Sequence, residues 1–205
     1  MRIRLAARLA VLLASFLAIA EPEPLAAQTR AVAIFAGGCF WCMEAPFDKV
    51  DGVVSTTSGY TGGAKVDPSY KEVSSGRTGH YEALKVEFDP ARVTYQRLLE
   101  VFWRNIDPLD ANGQFCDRGG QYRSAIFVVD ASQRALAEAS KATLEASGKL
   151  PGRIATEILP ASTFYAAEPE HQDYYRKNPV RYSYYRWNCG RDRRLEQLWG
   201  AAPGH

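Results

Sequence analysis

Cys39 and Cys42 stand three positions apart in GGCFWCME (37–44), with Phe40 and Trp41 between them and two glycines before. A C-x-x-C pair can serve redox chemistry, a metal site or a structural disulfide. The apolar run AVAIFAGG (31–38) reads as a strand ending in a tight turn, and CFWCMEAPFDKV (39–50) has apolar residues at helical spacing. Cys39 is thereby predicted at a helix N-terminus, where free N–H groups and the backbone dipole favour a thiolate and make it a better nucleophile. Pro46 argues for a kink or early stop in that helix.

A second chemical group lies in HYEALKVEFD (80–89), whose alternation marks a strand. His80, Glu82, Leu84, Val86 and Phe88 share one face, opposite Ala83, Lys85 and Glu87. Glu82 therefore sits on the apolar face near its edge. There desolvation favours the protonated carboxyl, which can act as a general acid; the alternative is an edge glutamate that escapes to solvent or pairs with an arginine. Tyr70, in DPSYKEVSSG, and Asp117 and Tyr122, in QFCDRGGQYRS, add polar groups that could orient an oxygen inside an apolar pocket. Phe40 and Trp41 can wall such a pocket or simply fill the core. His80 and His171 read as hydrogen-bonded structural histidines, not as metal ligands.

The elements that position these groups follow from periodicity. VVSTTSGYTGG (53–63) reads as a strand running into a glycine-rich loop, and 64–79 as a long loop. An amphipathic helix is expected over 94–106 with Thr94 as N-cap, then a loop over 108–121, a strand over 122–130, a helix over 131–149 and a strand over 153–160. The order β-α-β-β-α-β, followed by α-β, predicts an α+β two-layer sandwich with a ferredoxin-like core. An aromatic, charged tail follows, expected to pack over the domain and to end in a short helix at 191–199.

Ahead of the domain, the basic start MRIRLAAR and the apolar run LAVLLASFLAIA read as a signal peptide, too short to span a bilayer. Cleavage is expected after Ala27, with Ala18-Ile19-Ala20 as the other small-residue exit and an uncleaved anchor as the alternative. The mature chain, 28–205, is then one exported, periplasmic domain, with a core over 32–180 and a tail over 181–205. Export permits disulfides, and the four cysteines (Cys39, Cys42, Cys116, Cys189) allow three pairings. Of the net charge of +2, +1 belongs to residues 1–27 (Arg2, Arg4 and Arg8 against Glu21 and Glu23), leaving +1 for the rest. That balance gives no electrostatic reason to expect a nucleic-acid partner.

GCFWCME, GYTGG, PSYKEVSSGRTGHYEALKVEFDP, QFCDRGGQYRSAIF and HQDYYRKNP together resemble the A-type peptide methionine sulfoxide reductases, from about residue 32 to about 180. The resemblance implies that Cys39 attacks the sulfur of a methionine-S-sulfoxide, free or peptide-bound, and becomes a sulfenic acid. Glu82 with Tyr70 and Tyr122 would bind and protonate the oxygen, Phe40 and Trp41 would cradle the S-methyl group, and Asp117 falls beside the site. Many relatives read GCFWG and keep resolving cysteines in a glycine-rich tail. Here Cys42 takes the fifth position and the tail holds Cys189 alone, so Cys42 is expected to resolve the sulfenic acid, ahead of Cys189. Cys116 and Cys189 would pair, either structurally or as a relay. Nothing resembles a nucleotide site: no G-x-G-x-x-G follows a strand, and GYTGGAK lacks phosphate-loop spacing. No bound cofactor or metal is implied; electrons would come from a thioredoxin-like dithiol, and the enzyme would act as a monomer.

Three other classes remain at this stage. A thioredoxin-like disulfide exchanger would use C-x-x-C and need no Glu82. A zinc module would recruit Cys116 and Cys189, although no second C-x-x-C or H-x-x-x-H exists. A methionine-sulfoxide reader without turnover would tolerate Cys39→Ser.

Overall fold

In the computed structural model, residues 30–200 are described; the expected signal segment lies outside them. No helix among the described residues is long and apolar enough to cross a membrane. Strand β1 (Ala31–Gly37) leads into helix α1 (Phe40–Asp48), then β2 (Val53–Thr61), a short α2 (Tyr70–Ser74) and β3 (Tyr81–Phe88). Helix α3 (Tyr95–Arg104), the hairpin β4 (Gly113–Gln114) and β5 (Asp117–Arg118), β6 (Ser124–Val128), α4 (Ala131–Ala146) and β7 (Glu157–Pro160) follow. The chain closes with β8 (Tyr165–Ala166), α5 (Tyr174–Lys177), α6 (Pro179–Asn188) and α7 (Arg191–Trp199).

Six strands form one sheet in the order β7-β6-β1-β3-β2-β8, with only β6 and β7 parallel. The alternation of β3 sends Leu84, Val86 and Phe88 to the face that meets Phe35, Phe47, Leu98, Phe102 and Ile126, where α1, α3 and α4 cover the sheet. The three rings Phe47, Tyr95 and Phe102 stack around Phe35 at 5.1–6.1 Å. The opposite face packs Ile34, Ala36, Ala83 and Phe127 with Phe164. Two of the expected loops hold structure. Within 64–79, Glu72 accepts a hydrogen bond from the Ser69 N–H at 3.0 Å and starts α2. Within 108–121 lies the β4–β5 hairpin. The strand expected over 153–160 shortens to β7, because residues 153–156 have no partner strand.

Pro46 lies inside α1 without ending it; the helix runs on to Asp48. A proline in the second turn removes only the hydrogen bond its own N–H would have made to Cys42, and α1 is too short to lose more. The terminal helix occupies Arg191–Trp199, but α5 and α6 before it carry no clean apolar stripe, and α6 buries none of its residues.

Candidate active site

The turn Gly37-Gly38 aims the chain into α1. Gly38 has φ +81°, and a Cβ there would lie 2.6 Å from the Gln114 Cβ, so only glycine fits. Cys39 is the N-cap of α1, and its carbonyl accepts the Cys42 N–H at 3.0 Å. Its own side chain does not cap the helix. That duty falls to Glu82: the Phe40 N–H donates to Glu82 Oε2 at 3.2 Å. The carboxyl on β3 and the cysteine at the start of α1 thus meet through one backbone group.

Glu82 is only 1% exposed. Burial pushes its pKa up to about 8, against the Phe40 N–H, with Asp117 and Cys42 adding to the rise. The expected protonated acid is therefore present at neutral pH, buried near the start of β3 and not escaping to solvent. The expected thiolate at Cys39 is not. Burial raises the Cys39 thiol well above its ordinary range, helped by its hydrogen bond to Cys42 and by the negative charges of Cys42, Glu82 and Asp117. These outweigh the helix N-terminus. The two thiols share a hydrogen bond and lose their first proton as a pair, with Cys42 the lowered member. Its pKa falls to about 7 because the Cys39 thiol donates to its sulfur; burial opposes this, and Arg191 and Arg186 assist.

Around the two sulfurs the sequence-picked residues converge. Burial and the neighbouring Glu82 push Tyr70 up to about 12 and raise Tyr122 as well, and both phenols also sense Cys39 and Asp117. Both therefore remain O–H donors at every physiological pH. Asp117 is half-buried, accepts the Tyr185 O–H at 2.6 Å and is raised by burial. Phe40 is buried against Tyr60, Tyr70 and His171 at 5.5–6.4 Å. Trp41 lies flat on Tyr174 at 3.7 Å and donates its indole N–H to His171 Nδ1 at 3.2 Å.

Three contributors escape sequence reasoning, and a fourth, His171, gains a second role. Tyr185 comes from the tail and meets Trp41 edge-on at 5.9 Å. His171 is the hydrogen-bonded histidine expected, accepting from Trp41, and is also part of the aromatic wall, 4.2 Å from the Tyr70 ring. Glu168 accepts from the Tyr60 O–H at 2.9 Å and the Tyr70 N–H at 2.7 Å, which locks the start of α2. Arg191, 1% exposed, donates to Gly37 O at 3.0 Å beneath the Gly37-Gly38 turn. The tail's density of Tyr and Trp signals docking, but not which ring docks where. His80 is the structural histidine expected, accepting the Gly63 N–H at 3.1 Å and sitting 2.7 Å from Lys65 O.

Cys116 and Cys189 are joined in a disulfide, while Cys39 and Cys42 are free thiols. Cys116, Asp117 and Cys189 form the one His/Cys/Asp/Glu cluster among the described residues compact enough to suggest a metal, yet two of its three sulfur and oxygen donors are spent on each other. The zinc reading loses the thiolates it required.

A cysteine at the N-cap position of a helix, a protonated buried acid and two neutral phenols beside a cluster of aromatic rings are suited to attack a sulfur centre while an oxygen on it gains a proton. Comparison with known proteins agrees: the model of the family "Peptide methionine sulfoxide reductase" matches residues 31–202. The chain belongs to this family. It is 52% identical over 174 residues to the peptide methionine sulfoxide reductase MsrA of Bacillus licheniformis, covering 85% of this chain and 96% of that one. To MsrA 2 of Caulobacter vibrioides it is 51% identical over 196 residues, covering 94% and 98%. The structure of methionine sulfoxide reductase A of Corynebacterium diphtheriae superimposes with a TM-score of 0.66 at 37% identity, covering 74% of this chain and 76% of that one. The protein is an oxidoreductase that reduces methionine sulfoxide in peptides.

Proposed function

We propose that Cys39 is the nucleophile and Glu82 the general acid in reduction of methionine-S-sulfoxide, free or peptide-bound, and that Cys42 resolves the product. The observation that carries this reading is the Glu82 carboxyl, buried with its proton and bonded to the N–H beside Cys39. A sulfoxide oxygen leaves poorly until protonated. Glu82, supported by the Tyr70 and Tyr122 hydroxyls, supplies that proton as the Cys39 sulfur attacks. Phe40 and Trp41 hold the S-methyl group, and Asp117 sits beside the sulfurs. Thiol and sulfoxide become sulfenic acid and thioether: two electrons pass from Cys39 to the substrate sulfur, and the oxygen moves to Cys39. The Cys42 sulfur then attacks the sulfenic sulfur. An S–S bond forms, the S–O bond breaks, and the oxygen leaves as water with a proton from solvent.

A thioredoxin-type dithiol, the family's electron source, then reduces the Cys39–Cys42 disulfide, with no bound cofactor. We place the Cys116–Cys189 disulfide outside this cycle as a structural link. The test is turnover of methionine-S-sulfoxide with dithiothreitol. Cys39→Ser is expected to abolish it. Cys42→Ser should release about one equivalent of methionine per enzyme and then slow. Glu82→Gln should cripple reduction while leaving simple disulfide exchange intact. A 39–189 link as the sole product of the first turnover overturns the assignment of Cys42.

The basic and apolar start of the chain supports export to the periplasm, where the protein works as a monomer repairing oxidised proteins. N-terminal sequencing of secreted material beginning at Gln28 supports this reading; retention of Met1 in a cytoplasmic fraction contradicts it.

A further inference from the structure

Arg191 is a buried cation without an ion-pair partner. It joins none of the ion pairs found among the described residues, its Nε has no hydrogen-bond partner, and Nη2 reaches only Gly37 O, Asn105 O at 2.7 Å and Met43 Sδ at 3.2 Å. A fully buried guanidinium left uncompensated is strongly destabilising, so its field should be used by some anion. Its contacts, Gly37 and Met43, bracket the Cys39–Cys42 turn, and Nη1 lies 3.7 Å from where a Gly38 Cβ would sit.

The chain delivers it there with some effort. Arg191 opens α7 directly after the left-handed Gly190 and two residues after the Cys116–Cys189 disulfide. Its guanidinium rests 4.4 Å over the Phe115 ring, and Phe115 is itself held at φ +57° beside Cys116. One disulfide thus fixes both the platform and the arginine.

We propose that Arg191 is the charge partner of the Cys42 sulfur: a positioning residue, held by the Cys116–Cys189 link, that keeps Cys42 as the thiolate that attacks the Cys39 sulfenic acid. The attacking role of Cys42 rests on the function proposed above; the charge pairing does not. The groups facing Cys42 are Cys39 at the N-cap of α1, Glu82 on β3, Asp117 on β5, Tyr182, Tyr185 and Arg186 on α6, and Arg191 on α7. Arg186 is already paired with Asp192. Asp117 also feels Arg191 but is engaged by Tyr185, so it is a competing partner that the test must separate.

With the outer disulfide intact, Cys39 and Cys42 are the only free thiols, and thiolate absorbance at 240 nm reports them alone below the tyrosine range. Wild type should show its first thiolate near pH 7. Arg191→Met, checked for native circular dichroism, should move that step up by at least one pH unit. At pH 7 the ratio of disulfide formation to first-turnover methionine release should fall about tenfold and recover by pH 9. Arg191→Lys should hold both within about twofold. A folded Arg191→Met protein that titrates like wild type overturns the pairing. So does a wild-type protein with no thiolate below pH 8.5, a result that needs no variant. Sustained turnover by Cys42→Ser with the titration shift present overturns the resolving role and leaves the charge pairing standing.

Discussion

Glu82 carries the largest share of what a single residue can test. Its alternation with Leu84, Val86 and Phe88 placed it on the core face, and burial does the rest. Because its folded value near 8 lies above the ordinary 4.5, the native state keeps a proton that the unfolded chain gives up. Its contribution to stability is complete below about pH 4.5 and is lost as pH rises toward 8. Glu82→Gln keeps an acceptor for the Phe40 N–H and has no such loss. Its stability gain over wild type should grow by about 2 kcal/mol between pH 5 and pH 7, read as a widening gap in melting temperature. Activity moves the other way: kcat should drop about 10²- to 10³-fold. The alkaline limb near pH 8 should vanish from the pH profile, while the acid limb near pH 7, set by Cys42, remains. An alkaline limb unchanged in the variant would remove Glu82 from the acid's role. The position of Cys39 was legible in the same way, from glycines before a helical pattern. Its protonation was not, since the groups that bury it and set its field include Asp117 and tail residues more than seventy positions away.

Among the elements, β1, β2, β3, β6 and β7 and the helices α1, α3 and α4 were readable from their apolar patterns, whereas the two-residue strands β4, β5 and β8 were not. Of the segment 161–200 only the terminal helix α7 was readable, since α5 and α6 bury little and their positions come from individual contacts. Glu44 shows how: buried on α1, it accepts the N–H of Asp173 at 3.0 Å, holding that residue in a left-handed conformation. This places Tyr174 flat on Trp41. Nothing local in HQDYY announces that pairing. The junction of β1 and α1 is the element-scale point most open to test. Gly38→Ala would force a side chain into the left-handed region and onto Gln114, whose amide is pinned to Asp107 N and O at 2.8 Å each. The cost should be about 2–4 kcal/mol. Because the displaced residue is the neighbour of Cys39, kcat/KM should fall at least about tenfold even at temperatures where the variant is folded. Calorimetry and the sulfoxide assay together check it, and a destabilised variant with full activity would show that the turn sets stability alone.

At the scale of the molecule, the first and last elements are tied together. Arg191 bonds Gly37 at the end of β1, Arg194 pairs with Asp107 at 2.7 Å, and the Trp199 indole donates to Ile106 O at 3.2 Å. These contacts are few, and α6, which leads into α7, buries none of its residues. The covalent link from Cys116 to Cys189, 73 residues apart, must supply much of what holds the tail in register. Closing a loop of that length removes unfolded-chain entropy worth about 4 kcal/mol. For a domain of this size that corresponds to a melting temperature about 10 °C higher. The Cys116→Ser/Cys189→Ser double variant, or wild type in excess reductant, should therefore melt about 10 °C lower by scanning calorimetry. It should still reduce sulfoxide with dithiothreitol at 25 °C, because Glu82 lies on β3, Cys42 in α1 and Cys39 at the N-cap of α1. Melting within 2 °C of wild type would mean that noncovalent docking of α7 suffices. Loss of all turnover in a folded double variant would instead place the outer disulfide inside the catalytic cycle, as a relay through which the electrons enter.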